Sequence, residues 1–286
     1  MVKVSIIIPN YNGEFLLKKN LPKVIASVHQ LAKEIIIVDD ASTDNSVELI
    51  KKLFIKELTN SRVKLIKNKK NLGFSSTVNR GVRAAKGEVV VLLNTDVCPQ
   101  KGFLLSVLPH FQDSQVFAVG LMDKSIENKK TVLRGRGIGC WSRGFYVHHR
   151  GEVGKTDTAW VAGGSGAFRK SIFLKLGGFA KIYNPFYWED IDLSYRAVRA
   201  GYKILFEPKS IVVHEHERGA ILQRFSEKQM KLVSYRNQFL FVWRNANFSQ
   251  WLNHLFWLPY HLIFTTIKSR GLFLWGFFRA IMCLLQ

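Results

Sequence analysis

The sequence is short of cysteine and short of acid. Its 286 residues hold three cysteines, Cys98, Cys140 and Cys283, far apart and with no CxxC pair. That argues against a disulfide framework or a zinc knuckle and predicts a reducing, cytoplasmic compartment. Asp and Glu number 21 against 42 Lys and Arg, a formal charge of +21. Such an excess predicts polyanionic company: nucleic acid, anionic lipid or phosphorylated substrates. Nucleic acid loses on motifs, because no zinc finger, RNP aromatic motif or helix-turn-helix accompanies the charge. No GxGxxG follows the first apolar run, which removes a dinucleotide oxidoreductase. The opening MVKVSIIIPN is apolar over too few residues for a signal peptide and reads as a strand. No internal repeat or low-complexity linker is present. What remains, 47% hydrophobic with 22% charged residues, marks a folded chain sized for one large domain or one domain plus an appendage.

Three runs share one shape: VSIIIPN near residue 4, EIIIVDD near 34 and EVVVLLNTD near 88. Each is continuously apolar and β-branched, as parallel strands covered on both faces are. Helical patterns lie at 14–33, 46–58 and 75–86, and VKLIKN at 63 supplies a further strand. This alternation predicts an α/β fold with an open, twisted, mostly parallel sheet flanked by helices. Such sheets bind ligands beyond the carboxyl ends of their strands, where Asn10, Asp39, Asp40, Asn94 and Asp96 fall. FAVGLM at 117 reads as another strand, whereas 123–157 is polar and Gly-rich without a clear period. A short helix from Ser171, a strand pair (YKILFEP and SIVVHEH) and a basic helix over about 223–244 follow. The expected division is residues 1–220 as one α/β domain and 221–286 as a basic helix plus a hydrophobic tail.

The residue types at these ends point to chemistry, each beside a plainer role. A carboxylate in VDDASTDNS can accept the N3–H that uracil and thymine share, while Asp44 or Ser42 suits helix capping. Asp96 in LLNTDV stands where a diphosphate and its Mg²⁺ or Mn²⁺ could lie, although a lone Asp there is also a common turn residue. PFYWEDIDLSYRA places Glu189, Asp190 and Asp192 directly after three aromatic residues. Those acids suit either a catalytic site or the first turn of a helix, with Asp192 and Arg196 as an i, i+4 pair. The glycines of VAGGSGAFRK allow close backbone approach to a ligand or a tight bulge. His214 and His216, two apart on a strand, face one way as metal or phosphate ligands or as polar surface.

VSIIIPNYN, VDDASTDNS, NLGFSSTVNRGVRAAKGEVVVLLNTDV, AGGSGAFRK and GGFAKIYNPFYWEDIDLSYRAVRAGY occur in that order, over about residues 2–219. In this the chain resembles a family 2 glycosyltransferase with the nucleotide-sugar-binding GT-A fold, nearest the branch with bacterial rhamnosyltransferases of cell-surface polysaccharide assembly. The resemblance implies that Pro9, Tyr11 and Asn12 close around the nucleotide. It implies that Asp40 contacts the base with Asp39 beside it, and that Asn71, Gly73 and Asn79 line the base and ribose. Asn94-Thr95-Asp96 takes the place of the family's Asp-X-Asp metal motif, with Asp96 the implied metal ligand, to which the His214 read above would add. Asn94 removes one negative charge there, which puts an absolute requirement for Mg²⁺ or Mn²⁺ in doubt. Asp190, of the Glu189-Asp190 pair, is the implied general base, with Gly163, Gly164 and Trp188 on the acceptor side. The implied reaction is inverting transfer from a UDP- or dTDP-sugar, dTDP-rhamnose among them, to a saccharide or lipid-linked acceptor. The rival is a GT-A-fold binding or scaffold protein without turnover, which Asn94 favours and the joint presence of Asp40, Asp96 and Asp190 disfavours.

The tail changes character. From Asn245 to Ile267 no residue carries a formal charge, yet Pro259, His254 and His261 interrupt a stretch near the ~20 residues a spanning helix needs. Trp251, Trp257 and Trp275 are of the type found at headgroup level. The expectation is a pair of interfacial helices on the inner, cytoplasmic face of an anionic membrane. A re-entrant or spanning hairpin and a helix packed on the domain or a dimer partner are the alternatives.

Overall fold

The computed structural model describes residues 2–28, 31–53, 62–127, 130–214, 221 and 224–285. Period-two alternation accounts for its sheet. In β1 (Val4–Asn10), Ile6 and Ile8 pack into one core and Ile7 into another on the opposite face. β2 (Ala32–Asp39) divides Ile35 and Ile37 from Ile36 and Val38 in the same way, and β4 (Val89–Leu93) divides Val89, Val91 and Leu93 from Val90 and Leu92. A strand buried on both faces reads as an unbroken apolar run. One face is covered by α1 (Glu14–Val28) and α2 (Ser46–Leu53), the other by α3 (Phe74–Ala84). The first helix stops short of the expected residue 33, because β2 already begins at Ala32. The end expected for the second, 54–58, lies outside the described residues.

β3 (Val63–Lys67), β2, β1 and β4 pair in parallel. Beyond β4 the sheet continues through β10 (Ser165–Arg169), β6 (Val116–Glu127), β11 (Lys203–His214) and β5 (Val97–Pro99). β10 runs antiparallel to both β4 and β6, and β11 parallel to β6. The sheet is therefore mixed. α4 (Phe103–Val107) and α5 (Lys170–Lys175) are short covers.

Two expectations for the second half need correction. The strand pair at 202–216 is one strand, β11, whose register against β6 shifts between Glu207 and Ile211, around Pro208. Proline has no N–H for the ladder, which suits such a break. His216 lies outside the described residues. The supposedly irregular 123–157 holds the end of β6, its partner β7 (Lys130–Arg134), and a hairpin of β8 (Gly137–Ser142) and β9 (Phe145–Arg150). Its period is hidden because β8 uses glycine where a face must be filled from elsewhere. A Cβ on Gly137 would lie 2.1 Å from the Trp160 ring.

A third core forms over this hairpin. Phe145 and Tyr146 meet Tyr183, Trp188 and Ile191 beneath α7 (Glu227–Asn245), with Phe239 and Phe241 packed among them. Capping boxes start α7 at Ser226 with Gln229, and α8 (Phe248–Tyr260) at Asn247 with Gln250. Pro259 lies next to a π turn, His261–Thr265, and a short turn leads to α9 (Leu272–Leu284). Among the described residues no helix is long and apolar enough to cross a membrane. The hairpin tip is fastened to this tail: His254 Nδ1 donates to Gly144 O (2.8 Å) and His261 Nε2 to Arg143 O (2.9 Å).

Candidate functional site

The strand directions put Asn10, Asp39, Leu93 and Ser165 along one edge of the sheet. At that edge the two neighbouring aspartates differ. Asp39 is buried and braces the turn after β2, accepting from Asn10 Nδ2 (2.9 Å), Ser42 Oγ (2.6 Å) and Ser42 N (3.1 Å). Asp40, also buried, accepts from Asn68 Nδ2 (2.6 Å), Leu72 N (2.8 Å) and Gly73 N (2.9 Å). A carboxylate has about four acceptor positions, so one is left for a ligand donor. Ser42 thus serves Asp39 and the Asn12 N–H (2.9 Å) and caps no helix, whereas Asp44 accepts from Glu14 N (2.9 Å) and Ser46 N (3.0 Å) at the starts of α1 and α2.

The rest of the expected nucleotide set is placed unevenly, with only Gly73 bonded to Asp40. Pro9 pairs with Val38, and Asn12 (φ 52°) exchanges hydrogen bonds with Thr43. The Tyr11 ring lies 5.3 Å from the Arg224 guanidinium. Asn71 Oδ1 accepts from Gly73 N (3.2 Å), and Asn184 Nδ2 donates to Leu72 O (3.1 Å). The 72–73 loop is thereby tied to Asp40 on one side and to the stretch before Trp188 on the other. Asn79 does something else: its amide is paired at both ends with the Phe179 backbone (2.8 and 2.9 Å), bracing that turn on α3.

Asn94 and Asp96 follow β4. A Cβ on Gly164 would stand 2.4 Å from the Asn94 amide, so only glycine lets the 163–164 backbone press on this residue. Gly163 N in turn donates to Asp190 Oδ2 (3.2 Å). A short path of contacts therefore joins Asp190 to Asn94 and, two residues on, to buried Asp96. β5 pairs with β11 so that Val97 opposes His214. His214 Nε2 lies 3.3 Å from Asp96 Oδ2, and Nδ1 2.9 Å from Asp123 Oδ2. Burial opposes a charged imidazole here, but hydrogen bonds to Asp123 and Asp96 outweigh it and raise His214 to about 9.

No group of three or more His, Cys, Asp or Glu side chains is arranged as a metal cage among the described residues. The donor set at the end of β4 is of a different kind: a buried carboxylate, an amide oxygen and an imidazole. A hard divalent ion carried mainly by a diphosphate needs only one or two protein carboxylates, which Asp96 supplies. The donors fit such an ion, with His214 able to join after losing its proton.

The Glu189-Asp190 pair opens α6 (Glu189–Arg199), after Tyr187 (φ 69°) and Trp188 (φ 77°). Two successive non-glycine residues in the left-handed region cost on the order of 1–3 kcal/mol each, so the surroundings must enforce the turn. Asn237 of α7 does this: buried, its Nδ2 lies 2.9 Å from each of the Tyr183, Phe186 and Tyr187 carbonyls. Glu189 is buried with Oε2 unpartnered, and burial, then the charge of Asp190, pushes it well above the usual carboxylate range. Burial also raises Asp190, against N–H bonds from Gly163 and Ile191. Both carboxyls are therefore harder to ionise than in water, Glu189 more so than Asp190, which the Gly163 and Ile191 N–H groups hold down.

One reading of this segment changes: Trp188, expected on the acceptor side, is only 3% exposed, its ring packed on Phe241 and His148. Tyr187, 40% exposed, is the open ring. The i, i+4 pair of Asp192 and Arg196 forms as expected, at 2.7 Å, but inside the fold. Asp192 is fully buried and also binds Tyr183 OH (2.9 Å), Asn245 Nδ2 (2.8 Å) and Arg244 (3.3 Å). Sequence reasoning missed Asn68, Asn237 and Arg224. None of these left a trace in the sequence: Asn237 sits between Arg236 and Gln238, before the apolar run of its helix begins.

Comparison with known proteins places this arrangement. Residues 5–177 match the description Glycosyl transferase family 2, and the chain belongs to that family. It is 37% identical over 139 residues to an uncharacterized glycosyltransferase of Nostoc sp., covering 46% of this chain and 41% of that protein. It is 25% identical over 219 residues to the pre-mycofactocin glycosyltransferase of Mycobacterium tuberculosis, covering 74% and 43%. The chain thus spans less than half the length of these relatives. Among solved structures, GalNAc-T7 with UDP, GalNAc and Mn²⁺ superposes with a TM-score of 0.64 at 22% identity, over 75% of this chain and 44% of that one. The fold is that of GT-A glycosyltransferases.

Proposed function

We propose that the chain is an inverting glycosyltransferase that moves a sugar from a UDP- or dTDP-sugar to a saccharide or lipid-linked acceptor, at the inner face of the cell membrane. dTDP-rhamnose is one candidate donor, and cell-surface polysaccharide synthesis the setting. The observation that carries the reading is the contact path from Asp190 through Gly163 and Gly164 to Asn94 and Asp96, with Asp40 at the end of β2, two strands over from β4.

In this reading Asp40 accepts the pyrimidine N3–H at its remaining acceptor position, while Tyr11 and Arg224 close over the nucleotide. Asp190 holds the acceptor hydroxyl and takes its proton as the oxygen attacks the anomeric carbon. The bond from that carbon to the diphosphate breaks in the same step, inverting the centre. Asp190 is fit for this because the Gly163 and Ile191 N–H groups favour its carboxylate form over that of Glu189 beside it, and the Gly163 N–H fixes its orientation. A divalent ion held through Asp96, Asn94 and His214 would neutralise diphosphate charge when bound. Arg224 adds a protein cation on that side.

The test has two readouts. Stability shifts measured with UDP-, dTDP- and GDP-sugars, with and without Mn²⁺, are expected to single out a pyrimidine nucleotide. Asp190→Asn is then expected to keep that shift and lose transfer by about 10²-fold or more. Near-normal turnover in this variant removes Asp190 from the mechanism. Binding without turnover in the unaltered chain, for every donor and acceptor tried, leaves the scaffold reading.

A further inference from the structure

α8 and α9 are apolar on more faces than the fold covers. α9 turns Phe273, Gly276 and Ala280 inward, yet Trp275, Phe278 and Met282 on another face are exposed. Along α8, the π turn and the helical turn Thr266–Lys268 that follows, Phe248, Leu252, Phe256, Ile263 and Ile267 make a second exposed stripe at helical spacing, with Phe256 76% and Ile267 71% exposed. A helix hydrophobic around its circumference requires burial on all sides. Most of the large exposed apolar side chains among the described residues fall in this tail.

A groove of about 880 Å³ adjoins the stripe, between the start of α7, the π turn and the entry to α9. Arg143, Lys228, Lys231, Lys268 and Arg270 line it against a single acid, Glu227. Tyr260 and Phe264 belong to both features, exposed like the stripe and lining the groove. Arg143 lies over the Trp257 and Tyr260 rings (5.4 and 5.9 Å). Like charges gathered around one concavity raise its potential and favour an anion there. An apolar stripe alone would fit a second copy of the chain equally well. A cationic groove sharing its rim would not, because two copies would bring like charges together.

We propose that this tail docks on a membrane of anionic phospholipid, the stripe entering the acyl boundary and the groove holding a lipid headgroup phosphate. It deepens the membrane-face part of the function proposed above, and it stands or falls independently of sugar transfer. Apolar insertion and headgroup charge are two signals that reinforce each other.

The test is flotation of the full chain with vesicles of phosphatidylcholine alone or with 30% phosphatidylglycerol, a composition chosen to give roughly the surface charge at which basic segments bind. Binding to the anionic vesicles is expected to exceed that to neutral ones about tenfold or more. Lys231→Glu, Lys268→Glu and Arg270→Glu together are expected to abolish the difference, and Ile263→Ser with Ile267→Ser to weaken binding on anionic vesicles. Lys18→Glu, Lys23→Glu and Lys33→Glu make the same change of charge on exposed sites away from the tail and are expected to retain most of the binding. All of these sites are exposed, and unchanged thermal unfolding confirms that folding is intact. The proposal is overturned if the groove variant binds like the parent, if the remote variant loses as much, or if Ile263→Ser and Ile267→Ser change nothing. A dimer in sedimentation that Ile267→Ser dissociates also overturns it, by showing a second copy on the stripe. Sugar transfer to a soluble acceptor is measured separately. Its absence in a chain that floats counts against the transferase reading alone.

Discussion

At the scale of single residues, two acids next to each other in sequence have different fates. Asp39 is closed off by Asn10 and Ser42, while Asp40 keeps an acceptor position beside the 72–73 loop. His214 gives this scale its measurable consequence. Its folded value of about 9 lies above the 6.5 of an unfolded histidine. The folded state therefore binds the proton more tightly, and the stabilisation is fully present below pH 6.5 and lost as pH rises through 9. By linkage it amounts to on the order of 3 kcal/mol in the metal-free protein. Thermal unfolding in EDTA is expected to show His214→Gln well below the parent at pH 6 and close to it at pH 9.5. A gap that stays constant with pH would show that the imidazolium is not held by Asp96 and Asp123.

At the scale of elements, the clamp between α7 and the turn before α6 matters most. Asn237 satisfies carbonyls of a turn with two left-handed residues, and that turn aims Glu189 and Asp190. Asn237→Ala leaves buried carbonyls unpaired and is expected to lower stability by about 2–4 kcal/mol. A catalytic group displaced by a fraction of an ångström loses rate, so turnover is expected to fall about tenfold or more with nucleotide binding retained. Paired melting and transfer assays check this; unaltered turnover would separate the clamp from the site. Elements were legible in the sequence where burial is two-sided. β1, β2 and β4 announce themselves because each successive residue enters a core, and the acids at their ends stand out by contrast. β7, β8 and β9 were hidden because much of each strand faces solvent and Gly137 yields its place to Trp160. Spacing alone suggested the Asp192–Arg196 pair but not its burial, since Tyr183, Arg244 and Asn245 arrive from other segments. Arg224 gave no signal for the same reason: its place over Tyr11 is set by the fold.

At the scale of the molecule, the C-terminal helices belong to the structure of the site. α7 supplies Asn237 to the turn before α6 and Arg244 and Asn245 to Asp192, and α8 receives the β8–β9 hairpin through His254. A chain ending at residue 220 would uncover Phe145, Tyr146, Tyr183, Trp188 and Ile191 together. At about 1.5–3 kcal/mol for each large side chain, the loss is on the order of 10 kcal/mol. That is comparable with the net 5–15 kcal/mol of a typical domain. The fragment 1–220 is therefore expected to lack a cooperative thermal transition and to bind a hydrophobic dye at room temperature, whereas the full chain melts sharply. A fragment that melts as sharply as the full chain would make the tail a detachable appendage. If the tail is integral, removing it cannot distinguish loss of membrane binding from loss of fold, and only point changes on its exposed face isolate the docking surface. Attachment and chemistry would then share one rigid frame, with the vesicle-facing stripe held by the same α7 that fixes Asp190.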